Sequence, residues 1–420
     1  MNRRVRRFLG LFLGGLLLAV LPGCADSSSS TRAVQPTTSG GGSAASTASV
    51  VSPTSTTTSA VTTTSAATTT TSTVTTTRPR GPQAISVAMA GDLLIHMPIV
   101  DQARRNAGSA GRRFDFGPML APMHPVISPA DLALCHLEVP MAKDQNRLSG
   151  YPSFGAPDEL LDSVKGVGYD GCSTASNHSL DQGLSGIERT LAQMDARELR
   201  HSGTARTAQE AEATTFYDAG GAKVAHLSYS YGFNGYPIPA SAPFAVNQID
   251  VGRIHADATR ARQRGAQLVI VSLHWGDEYR HEPSAYQKQV AGQLLPFVDI
   301  DVVVGHHAHV VQPVEQVEGT YVVWGLGNQL ANQRQIPRSD GLTVSIRAAQ
   351  QPNGRYEVDA IEAIPTYVEA GSMRVLPVVD TLMNPSISGA LRSELVRSYD
   401  RTAAVLATRS TPGLTLRPRP

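Results

Sequence analysis

Short, largely apolar runs recur along this chain, and most of them end on a residue able to hold a metal ion or move a proton. Leu268-Val269-Ile270-Val271-Ser272-Leu273 runs straight into His274, and Asp301 to Val304 runs into Gly305-His306-His307-Ala308-His309. Ile85 to Ala90 leads to Gly91-Asp92, Asp131 to Cys135 to His136-Leu137-Glu138, and Gly171 to Thr174 to Ser176-Asn177-His178. Tyr321 to Trp324 ends on Gly325-Leu326-Gly327-Asn328, and Lys223 to Ser228 reads as a further strand. Continuous apolar runs of this length suit strands buried on both faces. Helical segments lie between them: Pro157 to Val167, Ile254 to Gly265, Tyr286 to Leu295, and Gly183 to Arg197, where Leu184, Ile187, Leu191 and Met194 repeat at helical spacing. The alternation predicts an α/β fold, with sheets covered by helices. In such folds ligands bind beyond the carboxyl ends of strands, which is where the polar residues fall.

The residue types define the chemistry. In chain order they are Asp92 with His96, Glu138, Asn177 with His178, His274, and His307 with His309. Carboxylate oxygens and imidazoles together suit Zn, Mn or Fe. Two such ions a few ångströms apart clamp a phosphoryl group. An Asn carbonyl is a neutral oxygen ligand, and a histidine beside it can protonate a leaving oxygen. His96 shares a face with Asp92 if the segment is helical and is a surface residue otherwise. The three histidines from His306 to His309 are the sharpest signal. The chain carries no phosphate-binding P-loop and no Gly-x-Ser-x-Gly elbow.

The amino-terminal end has a different character. Met1 to Arg7 is basic, Phe8 to Leu21 is apolar, and the run closes at Leu21-Pro22-Gly23-Cys24. That is the layout of a secretory signal, shorter than the roughly 20 residues of a membrane span. Its end resembles a bacterial lipobox, which implies cleavage before Cys24 and a lipid on its thiol. The signal is assigned to residues 1–24. The expected location is exported, anchored by lipid to the outer face of the cell membrane on the cell-wall side. Residues 25–82 are almost only Ser, Thr, Ala, Gly, Val and Pro, too little apolar surface to offset ordering entropy, so a disordered linker is expected. About 50 such residues span roughly 40 Å as a flexible coil, serving as a plain spacer or as a glycosylated one. The folded domain is expected over 83–378, followed by a tail, 379–420, with one helix from Ile387 to Leu406. A formal charge of +1 and a pI near 7.8 leave no basic footprint for nucleic acid. Cys135 and Cys172 each close a strand. In an oxidising compartment they form a bridge or stay two buried thiols, and the sequence leaves both open.

These motifs resemble the CapA family of bacterial capsule and poly-γ-glutamate synthesis, itself similar to calcineurin-like metallophosphoesterases. The resemblance runs through Gly91-Asp92, Asp131 to Pro140, Ser176-Asn177-His178 with Asp181 and Gly183, His274 to Tyr279, Gly305 to Pro313, and Gly325 to Asn328. It implies a four-layer α-β-β-α metallophosphoesterase-like sandwich. It makes Asp92, Glu138, Asn177, His274, His307 and His309 metal ligands, with His96 and His306 as further candidates, and His178 the catalytic histidine. It places Trp275, Glu278, Tyr279 and Asn328 on the substrate side. Glu138 stands where phosphoesterases carry Asp, and His136 where the family pattern carries Asn, so the count of divalent ions, one or two, stays open. The implied function is metal-dependent hydrolysis of a phosphoester or polymer bond at the envelope. The alternative is a non-catalytic metal- and polymer-binding component of an exopolymer assembly or export system. The expected partners are the membrane through Cys24, an anionic polymer or phosphoester, and membrane proteins of polymer synthesis or export.

Overall fold

The computed structural model describes residues 83–420 except Ala110. The expected signal, Cys24 and the linker lie outside the described residues.

Strands β1 (Ala84–Leu94), β2 (Leu132–Leu137), β3 (Gly171–Ser173) and β4 (Arg200–Ser202) are parallel neighbours. A hairpin of β5 (Thr215–Ala219) and β6 (Ala222–Ser230) begins a second sheet, which β7 (Leu268–His274) and β8 (Val302–His306) extend in parallel. The pair β9 (Val314–Val317) and β10 (Thr320–Val323) completes it. The chain then returns to the first sheet through β11 (Asn328–Ala331), β12 (Asp340–Gln350), β13 (Tyr356–Val368), β14 (Val375–Pro377) and β15 (Leu414–Leu416). The first sheet has nine strands in the order β14-β13-β12-β1-β2-β3-β4, with β11 also on β1 and β15 on β13. The second has six, in the order β5-β6-β7-β8-β10-β9.

Side chains alternate across a strand, and that alternation builds the layers. Val87 and Met89 of β1, Leu132 and Leu134 of β2, Leu268 and Ile270 of β7, and Val302 and Val304 of β8 meet in one buried layer between the sheets. Their sequence neighbours point outward. Ala88, Ala133 and Cys135 pack under the helices Met97–Ala107, Glu159–Val167 and Gly183–Asp195. Val269, Val271 and Val303 pack under Val251–Gln263 and Ala285–Leu294. The result is the expected four-layer α-β-β-α sandwich.

Three local features depart from the sequence reading or close what it left open. The chain from Asp92 is extended through Leu94, and the following helix starts at Met97 with His96 as its N-cap, so no helix places His96 on one face with Asp92. Beyond Val378 the chain forms the helix Gly389–Leu406 and β15, which adds to the first sheet through β13, so that sheet extends past the expected domain boundary. Cys135 and Cys172 are register partners on β2 and β3 and form a disulfide.

Candidate metal centre

The inter-sheet layer changes character at the carboxyl ends of its strands. Continuing each inward-facing series by two gives His136 after Leu132 and Leu134, Ser272 and His274 after Leu268 and Ile270, and His306 after Val302 and Val304. Asp92 joins them through a bulge. The pairs Met89↔Leu134 and Asp92↔His136 leave one extra residue in β1, and such a bulge re-aims the side chain that follows. Asp92, His136 and Ser173 then form one register row on the first sheet, facing His274 and His306 on the second.

The loops after β2, β3 and β8 supply the rest. Glu138 is buried, with its Oε1 3.9 Å from His274 Nε2 and 3.7 Å from His309 Nε2. Asn177 directs Oδ1 at His274 Nε2, 3.0 Å away, because its Nδ2 donates to Asn234 Oδ1. His307 and His309 have left-handed backbones, φ 86° and 54°. That conformation costs non-glycine residues of order 1–3 kcal/mol, and here it folds Gly305–His309 back over Asp92. His307 N–H donates to Asp92 Oδ2 at 3.1 Å, His309 Nδ1 lies 3.2 Å from the same oxygen, and His306 Nδ1 lies 3.3 Å from Asp92 Oδ1. At the outer edge His178 Nδ1 sits 2.7 Å from the buried carboxylate of Asp181.

The electrostatics have a gap that a cation fits. Asp92 Oδ1, both oxygens of Glu138, His306 Nδ1 and His307 Nδ1 are buried with no hydrogen-bond partner among the described residues. A buried carboxylate without donors is costly. Burial, with Asp92, Glu278 and Asp181 nearby, accordingly pushes Glu138 well above the carboxylate range, His309 alone opposing. Burial also works against the charge of Asp92, but the His306 and His309 rings, 3.3 and 3.2 Å from its oxygens, hold its carboxyl well below that range. Burial works against the charge of His309 too, and Glu138 and Asp92 overcome it and raise the ring to about 9. Burial and the neighbouring histidines push His307 down to about 3 and His274 well below its ordinary value. Ligand atoms of Asp92, Glu138 and His309 lie within 4.8 Å of one another, as do those of Glu138, His274 and His307. Glu138 is common to both groups.

Most of the expected residues meet here: Asp92, Glu138, Asn177, His274, His307, His309 and His306, with His178 beside them. His96 does not join them. Its Nδ1 bonds Leu94 O at 3.0 Å and its ring packs edge-on against Phe154. Two residues expected on the substrate side do other work. Trp275 is fully buried, donates to Trp324 O at 3.2 Å and stacks on that ring in the outer helical core. Asn328 is buried and holds His309 Nδ1 with its Oδ1 at 3.0 Å. Glu278 and Tyr279 are exposed at the rim, Glu278 within 4.8 Å of His307 and His309. Asn234, which fixes Asn177, lies in the loop after β6, four residues beyond the strand end, and only the fold brings it in. His136 carried a readable signal, its period-two place after Leu132 and Leu134.

Residues 86–333 match the family model described as bacterial capsule synthesis protein PGA_cap. The PGA biosynthesis protein CapA of Bacillus subtilis is 27% identical over 241 residues, 54% of this chain and 60% of that protein. The capsule biosynthesis protein CapA of Bacillus anthracis is 25% identical over 232 residues, 54% of each. The chain thus spans little more than half the length of these relatives. Among solved structures, the calcineurin-like phosphoesterase YfkN of Bacillus subtilis is similar with a TM-score of 0.41 at 13% identity, covering 77% of this chain and 99% of that one.

Proposed function

Starting from the fact that this chain belongs to the bacterial capsule synthesis PGA_cap family, we propose that it is an envelope protein of capsule or poly-γ-glutamate-type polymer synthesis, acting as a metal-dependent hydrolase of a phosphoester or polymer bond. The observation that carries the catalytic part is the pair of buried, unpartnered Glu138 oxygens amid imidazoles, next to a histidine clamped by a carboxylate. Asp92, Glu138 and His309 would hold one ion, and Glu138, Asn177, His274 and His307 a second. A divalent ion there supplies Lewis-acid polarisation of the scissile group.

The chain's own residues do the rest. Asn234 keeps the Asn177 carbonyl turned to the centre. Asn328 keeps His309 in place. Asp181 Oδ2 accepts from His178 Nδ1, and with the ring carrying both protons Nε2 gives the second to the departing oxygen. At the other end of the chain, a lipid on Cys24 would anchor the protein outside the membrane, with residues 25–82 as its tether and an anionic polymer or phosphoester as its ligand. Incorporation of labelled palmitate, lost in Cys24→Ala, tests the anchor.

The test of the centre is metal content of the purified full chain by mass spectrometry, beside an Asp92→Ala, His309→Ala double variant and an assay on a simple aryl phosphate. Near-stoichiometric Zn, Mn or Fe with metal-dependent hydrolysis, both lost in the variant, is the expected result. No metal after reconstitution at neutral pH would sink the hydrolase reading. Bound metal with no hydrolysis of any ester or polymer tried would favour the second reading, a non-catalytic metal- and polymer-binding component of an exopolymer assembly or export system. The relatives' names, given for biosynthesis, favour that one.

A further inference from the structure

We infer that His136 is a positioning residue of the metal centre: it holds the ring of His274 through a histidine–histidine–serine relay, an inference that rests on His274 serving as a ligand. His274 Nε2 is the nitrogen that faces Asn177 Oδ1, at 3.0 Å, and Glu138 Oε1, at 3.9 Å. A ligating nitrogen carries no proton, and a neutral imidazole has one N–H, so the proton of His274 is on Nδ1. That atom lies 2.9 Å from His136 Nε2, which must therefore accept. The same count puts the proton of His136 on its Nδ1, 2.8 Å from Ser173 Oγ. The hydroxyl in turn lies 3.4 Å from Cys135 O and passes the donor to a backbone carbonyl. With His274 ligating through Nε2, every donor finds an acceptor in this arrangement. The opposite tautomer of His136 would set two N–H groups against each other.

A metal-bound histidine usually gives its second N–H to a carboxylate, a carbonyl or water. Here a second imidazole takes that place and brings no negative charge into a layer already crowded by Asp92 and Glu138. Its ring is locked: His136 is fully buried and stacks on His306 with centroids 4.0 Å apart and planes 14° apart. One ring nitrogen of His136 also lies within 4.8 Å of ligand atoms of Asp92 and His306, but both of its nitrogens are taken up by the relay, which makes it a support and not a ligand.

The test uses the full chain with ¹⁵N-labelled histidine and Zn²⁺ as the probe. Long-range ¹H–¹⁵N spectra of the Zn-loaded protein are expected to show His136 and His274 both as neutral Nδ1–H tautomers. His136→Gln keeps an acceptor near the Nε2 position, and His136→Leu removes it at similar volume. Loss of an outer partner of this kind typically costs 10–100-fold in metal affinity. The expected Zn²⁺ dissociation constant therefore rises about 10–100-fold in His136→Leu and stays within a few-fold in His136→Gln. A merely structural role would weaken both alike. If His136→Leu does not fold, the wild-type spectrum and Ser173→Ala, which is expected to release the fixed tautomer of His136, still decide. A proton on His136 Nε2, or wild-type affinity in His136→Leu, would overturn the relay alone. No Zn²⁺ binding by the wild-type chain would overturn the metal reading, and the relay with it.

Discussion

His178 shows how little separates a buried histidine from a working one. Its Nδ1 is tied to Asp181 at 2.7 Å, and its ring lies against Phe154 at the edge of the centre, outside both ligand groups. His178→Ala is expected to lower turnover by about 10²–10⁴-fold, the usual contribution of a general acid, with metal content unchanged. Parallel loss of metal would make it a structural residue instead. His226 makes the opposite case. It is fully buried on the inter-sheet face, with Nε2 2.9 Å from Ser272 Oγ and no hydrogen-bond partner for Nδ1 among the described residues. Burial, with a smaller push from His306, lowers its pKa to about 3. Between about pH 6.5 and about 3 the unfolded chain binds a proton that the folded chain refuses, so stability present above pH 6.5 is lost as pH falls. The slope from this group is at most about 1.4 kcal/mol per pH unit. Urea midpoints taken from pH 7 down to pH 4 should fall less steeply in His226→Gln than in the wild type, and equal slopes would contradict the assignment.

At the scale of elements, the bulge in β1 does most to make a site out of a core. Gly91 lies in it, and a Cβ there would run into Gly327 O, the same carbonyl that accepts from Asp92 N at 2.9 Å. Gly91→Ala is expected to cost about 1–3 kcal/mol through overpacking and to reduce metal occupancy by displacing Asp92. Loss of stability without loss of metal, read by thermal melts beside metal analysis, would separate the two effects. The strands that feed the centre were legible in sequence because they are unbroken apolar runs: Leu268 to Leu273 is read as a strand and ends one residue short of β7. The strands β12 and β13 were not, because β12 sets Leu342, Val344, Ile346 and Ala348 against polar neighbours. That period of two is weaker than a continuous run. Ligand types after strands pointed to nearly every member of the centre. They could not separate Asn328 and Trp275 from substrate contacts, since which way a loop residue turns is decided by packing across the two sheets. Nor could they pair Cys135 with Cys172, which takes the register of β2 on β3.

For the molecule as a whole, two sheets closed by helices on both outer faces leave the strand ends as the place where polar groups gather, and there the four layers meet one cluster. The carboxyl-terminal residues belong to this body. Leu395 and Leu406 of the last long helix are buried against the first sheet, and Arg401 pairs with Asp340 of β12. The disulfide crosses 37 residues of sequence. Replacing both cysteines by serine is expected to lower stability by about 2–4 kcal/mol, measured by denaturant unfolding under non-reducing conditions. The bond has a consequence in time as well. Cys135 is followed by His136 and Cys172 by Ser173, so the covalent tie fastens the two strand positions from which the relay hangs. A chain oxidised early has that pairing fixed before an ion arrives. A chain still reduced meets the ion with hydrogen bonds alone to keep the strands in step. The order of these two events, and hence the compartment in which a given sample was made, becomes part of its chemical history.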